Sequence, residues 1–301
     1  MSKLPLTVAQ PGSSQWDFLA FMRRHPLFCY FFLAYLLSWL GWLPLVLSQD
    51  GLGLLPWHLP LGILGGVLGP IGSGFLMTAV TSGKEGLRQL LRRFILWRVG
   101  VQWYAVAILG MPTLLVLGAL VFVPGALTAF RFSALPFTLL SYAGLFPLQL
   151  FQSALVEEPG WRGFALPRLQ ERYGALRGTL LLGLLWGCWH FPLFLTPDYN
   201  GAGAGFLGVG IPFAIFVLGC LGMAIIITWV FNHTRGSLLL ALAIHASLDS
   251  FPLIVPLLFA QSNISEAIAS GWPTTVGLPC FGAVGLLILI VTRGKLGYQE
   301  K

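Results

Sequence analysis

Runs of apolar residues long enough to cross a bilayer recur along this 301-residue chain. A transmembrane α-helix needs about 20 of them. Eight such runs can be marked: Leu27–Leu47, Leu61–Thr81, Gln102–Val123, Pro136–Val156, Gly178–Leu195, Phe206–Phe231, Leu238–Phe259 and Thr275–Val291. In lipid, backbone N–H and C=O groups must be paired within the segment, so a chain built of such runs folds as a helix bundle. Only 9% of the residues are charged and the mean hydropathy is +0.83, against roughly 25% charged in a soluble domain. The expected fold class is therefore all-α: a polytopic membrane protein with about eight transmembrane helices, in one domain over residues 1–301. The first run is too long for the core of a cleaved signal peptide and lacks a small-residue cleavage site, so it reads as a signal anchor.

The net charge of +7 does not point to nucleic acid, because the basic residues sit in short clusters between apolar runs. Sixteen of the seventeen fall in alternate connections: Lys3, Arg23 and Arg24; Lys84 to Arg98; Arg162 to Arg177; Arg235; and Arg293, Lys295 and Lys301. The remaining connections hold Arg131 with Asp50, Asp198 and Glu266. By the positive-inside rule both termini are expected in the cytoplasm, which agrees with an even number of spans. The expected location is a bacterial-type plasma membrane. Lys84–Val99, with apolar residues at Leu87, Leu90, Leu91, Phe94 and Ile95, has the spacing of a helix lying at the headgroups. Trp161–Gly174 has a similar character and is expected to break at Pro167. The four cysteines lie inside apolar segments without a CxxC pair and read as small core residues.

Ionisable residues inside the runs are few, and each is costly in hydrocarbon. They are Glu157, Glu158, His190, His245 and Asp249, from the fourth, fifth and seventh runs or their ends. If those helices pack together, the five can share one polar pocket. Glu158 and Arg162 are four apart and share a helix face, which allows a carboxylate–guanidinium pair. Pro159 and Gly160 intervene, and a kink there would alter the pairing. Glu157 points about 100° away and has no such partner nearby in sequence. A partly desolvated carboxylate without a counter-charge is suited to general acid/base work on water. His245 and Asp249 are also four apart, so the carboxylate can orient the ring. No HExxH, phosphate-binding loop or dinucleotide fingerprint is present.

Taken in order, Glu157-Glu158 with Arg162, then Trp186 with His190, then His245 with Asp249 resemble the motif set of the CAAX protease and bacteriocin-processing family (CPBP, or Abi). That family includes the type II CAAX prenyl endopeptidases. Flanking words agree, among them Gly160-Trp161-Arg162-Gly163-Phe164 and Thr234-Arg235-Gly236-Ser237-Leu238, and the likeness covers about residues 136–259. Two positions depart: Trp186 stands where the family usually has Phe, and Asp249 where the prenyl-protein proteases more often have Asn.

The resemblance implies an intramembrane endopeptidase whose site opens to the cytoplasm and whose substrate is a hydrophobic or lipidated peptide, CAAX-type or bacteriocin-like. Membrane lipids are the other expected partner. Glu157 would be the base and His190 its assistant. His245 and Asp249 would line the oxyanion side, with Glu158 and Arg162 shaping the pocket. The resemblance leaves the cofactor open. Glu157, His190, His245 and Asp249 are a plausible ligand set for a divalent metal such as zinc, and the same groups can act without one. Two other readings are a catalytically silent scaffold or maturation partner, and a transporter or ion pathway, since proton relays also use intramembrane Glu and His.

Overall fold

The computed structural model describes residues 18–59, 66, 68–197, 205–260 and 262–299, which are almost wholly helical. Lys3, Asp17, Asp198, Glu300, Lys301 and the start of the second expected span (61–65 and 67) lie outside the described residues. A short helix α1 (Phe18–Arg24) leads into α2 (Pro26–Leu47). Then follow α3 (Leu68–Phe94), α4 (Val101–Phe122), α5 (Phe132–Tyr173), α6 (Ala175–Leu195) and α7 (Gly205–His233). The chain closes with α8 (Leu238–Leu258), α9 (Ser262–Gly271) and α10 (Trp272–Thr292). Over the described residues, seven of these, all but α1, α3 and α9, are long and apolar enough to cross a membrane. Six of the expected runs agree with them to within three residues at each end.

The second expected run is described only at residue 66 and from Leu68 onward. The first part of α3 buries Gly69, Pro70, Ser73, Gly74 and Thr78, mostly small residues that let neighbours come close. Gly83, at φ 59° and ψ −155°, then breaks the helix, a conformation that glycine adopts without a Cβ clash. Beyond it comes the amphipathic helix expected from Lys84. Leu90 is buried, Leu91 and Ile95 are exposed, and the helix stops at Phe94 rather than reaching Val99.

The fourth run is also longer than expected. Glu158 does not end it: α5 continues to Tyr173 through two π-helical turns, Leu150–Ala154 and Pro159–Ala165. Pro159 stays in the right-handed helical region, and the wider turn absorbs its missing N–H. Trp161, Arg162, Phe164, Ala165 and Leu166 are completely buried, so Trp161–Gly174 is not an interfacial helix over its length. Pro167 falls in the first turn of the α-helical stretch Leu166–Tyr173, where proline is tolerated.

This burial depends on a close crossing of α3 and α5. A Cβ on Gly74 would lie 2.9 Å from the Gly160 Cα, and one on Gly160 would lie 2.3 Å from the Pro70 carbonyl oxygen and 2.5 Å from the Tyr30 hydroxyl. Helix α8 occupies the centre: 78% of its apolar window is buried, against 33% or less for α2, α4, α5 and α10. The four cysteines are free thiols, and three of them are buried.

Overpacking a tight contact costs about 1–3 kcal/mol. Gly160→Val is therefore expected to lower the unfolding temperature in detergent. Gly144→Ala, whose new Cβ would meet nothing within 4 Å, should leave it unchanged. Equal unfolding temperatures for the two variants would contradict the crossing.

Candidate active site

Glu157 and Glu158 lie on the short α-helical stretch Leu155–Glu158 between the two π turns of α5. Their environments differ. Glu158 Oε1 accepts hydrogen bonds from Arg162 Nη1 at 2.7 Å and from His245 Nδ1 at 2.8 Å. Glu158 and Arg162 have no solvent exposure at all, and the guanidinium sits 4.6 Å from the centre of the Trp186 ring. Cation–π contact and ion pairing together hold a charge that burial alone would expel. The i, i+4 pairing expected from the sequence thus forms across Pro159 and Gly160.

Glu157 is not free of partners, contrary to what its local sequence implies. Its Oε2 accepts from Trp186 Nε1 at 2.7 Å and from Trp161 Nε1 at 3.2 Å. No donor among the described residues reaches Oε1. Glu157 and His190 retain 7% and 8% exposure, whereas Glu158 and Arg162 have none. Glu157 and His190 thus keep a small accessible surface that Glu158 and Arg162 lack.

His190 lies at the end of the α-helical part of α6. Its Nδ1–H donates to the Trp186 carbonyl at 2.9 Å, which makes Nε2 the acceptor nitrogen. Trp186 connects the site: its ring centre is 5.4 Å from that of His245 and 6.2 Å from that of His190, while its N–H holds Glu157. His190 makes no direct hydrogen bond to either glutamate among the described residues. His245 Nε2 lies 3.4 Å from Asp249 Oδ2 and 3.4 Å from Ser153 Oγ, and Ser153 donates closely to the same Asp249 oxygen.

The structure therefore brings Glu158, Arg162, His245 and Asp249 into one bonded network, and joins Glu157 and His190 to it through Trp186. Ser153, Trp161 and the indole role of Trp186 were not foreseen. Ser153 and Trp161 each stand four residues from Glu157, one turn before and one turn after, which is the signal that could have found them. Nothing local marks Trp186 as a donor, because it arrives on another helix.

A metal does not fit this arrangement. Among the described residues no three His, Cys, Asp or Glu side chains converge to hold one. His245 gives one nitrogen to Glu158 and turns the other towards Asp249, so the four candidate ligands do not form a shell.

Three carboxylates, two histidines and an arginine, enclosed by apolar helices, thus form one buried polar cluster. Residues 138–251 match the family described as type II CAAX prenyl endopeptidase Rce1-like. The chain is also 32% identical over 189 residues to CAAX prenyl protease 2 of Methanococcus maripaludis, covering 61% of this chain and 68% of that one. The chain belongs to this Rce1-like endopeptidase family and is an intramembrane protease.

Removing one member of a buried pair leaves an uncompensated charge and costs about 3–5 kcal/mol. Arg162→Ala is expected to destabilise the protein by that amount in denaturant unfolding, and Arg162→Lys to recover only part of it. An unchanged unfolding midpoint for Arg162→Ala would contradict the assigned pairing.

Proposed function

We propose that the protease cleaves lipidated, CAAX-type peptides at the membrane, with Glu157 as the general base. One observation supports this most: Glu157 has one oxygen held by two indole N–H groups while no described donor reaches the other. Oε1 would accept a proton from water as the water oxygen attacks the peptide carbonyl carbon. His190 Nε2 would accept the second hydrogen bond of that water and fix its line of approach. The carbonyl oxygen would move to the corner formed by His245, Ser153 and Asp249. There a doubly protonated His245 would give Nδ1–H to Glu158 and offer Nε2–H to the oxyanion. Asp249, which as an ionised carboxylate has no donor for the oxyanion, would favour that imidazolium by its charge. As the C–N bond breaks, the protonated Glu157 would return its proton to the leaving amine.

The CAAX-type substrate is carried over from the M. maripaludis relative, whose name states it. The concentration of Lys and Arg in alternate connections supports a site open to the cytoplasm with both termini on that side.

In proteoliposomes, a farnesylated CAAX peptide should be cut by the wild type and not by Glu157→Ala, since a general base contributes about 10²–10⁴ in rate. Equal cleavage by both proteins would remove Glu157 as the base. Preferential cutting of the unprenylated peptide would overturn the substrate class. Trp186→Phe keeps the ring and deletes the N–H. It should lower kcat about tenfold, the worth of a hydrogen bond to a charged group, at unchanged KM; an unchanged kcat would contradict the clamp. Dialysis against EDTA should leave cleavage intact, and a loss restored by zinc would show that the donors rearrange around a metal.

A further inference from the structure

The end of the bundle where α2 begins and α5 finishes holds a second charged feature, which the peptidase chemistry does not use. A cavity of about 430 Å³ opens there, lined by Arg23, Arg24, Arg168 and Arg172, with Glu171 as its single carboxylate. Among the described residues, none of the four arginines is ion-paired with a carboxylate. Four like charges around one cavity repel one another unless an anion sits among them.

Two of the arginines are held in place. Arg23 donates its Nε to the Val80 carbonyl at 3.0 Å, which leaves both terminal nitrogens for a ligand. Arg168 lies over the Phe164 ring, 3.9 Å from its centre, and donates to the Phe164 carbonyl at 3.0 Å and to Thr81 Oγ1 at 3.2 Å. Both are thus tied to the same stretch of α3, so their convergence is built into the fold. Arg168 stands eleven residues beyond Glu157 on α5, roughly 16 Å along the helix, which separates the cavity from the peptidase site.

The wall beside these arginines is apolar. Pro26, Leu27 and Phe28 line it, and Phe28, 63% exposed, meets the ring of Phe21, 42% exposed, edge-on at 6.4 Å. At the start of a membrane span, aromatic rings of this kind face the lipid near the headgroups.

We infer that this cavity binds the phosphate of an anionic phospholipid, with its acyl chains against Phe21 and Phe28. The arginine fork matches phosphate oxygens, and basic pockets between transmembrane helices recognise anionic headgroups. A soluble phosphate would satisfy the arginines but would leave the aromatic wall without a role.

The test measures partitioning of a fluorescent phosphatidylglycerol onto the purified full-length protein in phosphatidylcholine nanodiscs. Arg24→Gln/Arg172→Gln, both exposed positions, should weaken binding about thirtyfold, the combined effect of two arginines at a charged surface. Arg88→Gln/Arg92→Gln removes the same charge from the second half of α3 and should leave binding within about twofold of wild type. Equal losses in the two double variants would reduce the effect to general surface charge and overturn the site. Displacement of the probe by glycerol phosphate as readily as by unlabelled phosphatidylglycerol would overturn the lipid assignment.

Discussion

A carboxylate and a guanidinium with no solvent exposure face each other one turn apart on α5, and the bundle is arranged to keep them there. Isolated in an apolar interior, either ion would cost several kcal/mol, by order of magnitude. Paired at 2.7 Å, with His245 on the same carboxylate oxygen and Trp186 against the guanidinium, they become a fixed internal scaffold. Three helices are tied by it: α5 supplies the pair, α6 the indole and α8 the imidazole. The close glycine crossing of α3 and α5 supports the arrangement from behind, because it lets the π-helical turn after Glu158 sit deep in the bundle.

The scaffold also separates two adjacent glutamates into different tasks. A step of about 100° along the helix turns Glu157 away from Arg162 and towards the Trp161 and Trp186 indoles, which grip one oxygen only. Indole N–H groups are donors alone, so they hold an ionised carboxylate without competing as acceptors for the water that the proposed base would activate. An apolar enclosure makes such hydrogen bonds stronger than they would be in water. Asp249 follows the same logic from α8: it faces His245 and accepts from Ser153, which suits an acid that orients a neighbour better than one that binds an oxyanion itself.

Much of this was legible in the chain because lipid imposes simple rules. Span length and the scarcity of charge placed most of the helices, and four-residue spacing found the Glu158–Arg162 and His245–Asp249 pairs. Local rules failed where tertiary packing overrode them. Pro159-Gly160 reads as a kink, yet Gly160 is where α3 must approach, and the π turn carries the helix past the proline. Arg162 and its neighbours read as an interfacial face, but the guanidinium turns inward to a buried acid. The indole clamp on Glu157 joins α5 to α6 and leaves no pattern in either segment. His190 was placed correctly on its helix, but its indirect link through Trp186 needed the fold.

The central claim is that Glu158 holds the fold while Glu157 does the chemistry. The most direct measurement is a side-by-side comparison of unfolding midpoint and single-turnover cleavage for Glu157→Gln and Glu158→Gln in the same liposomes. Glu157→Gln should keep the wild-type midpoint and lose at least about a hundredfold in rate. Glu158→Gln should show a clearly lowered midpoint. The reverse pattern, a stable but inactive Glu158→Gln beside an unstable Glu157→Gln that still cleaves, would contradict the account.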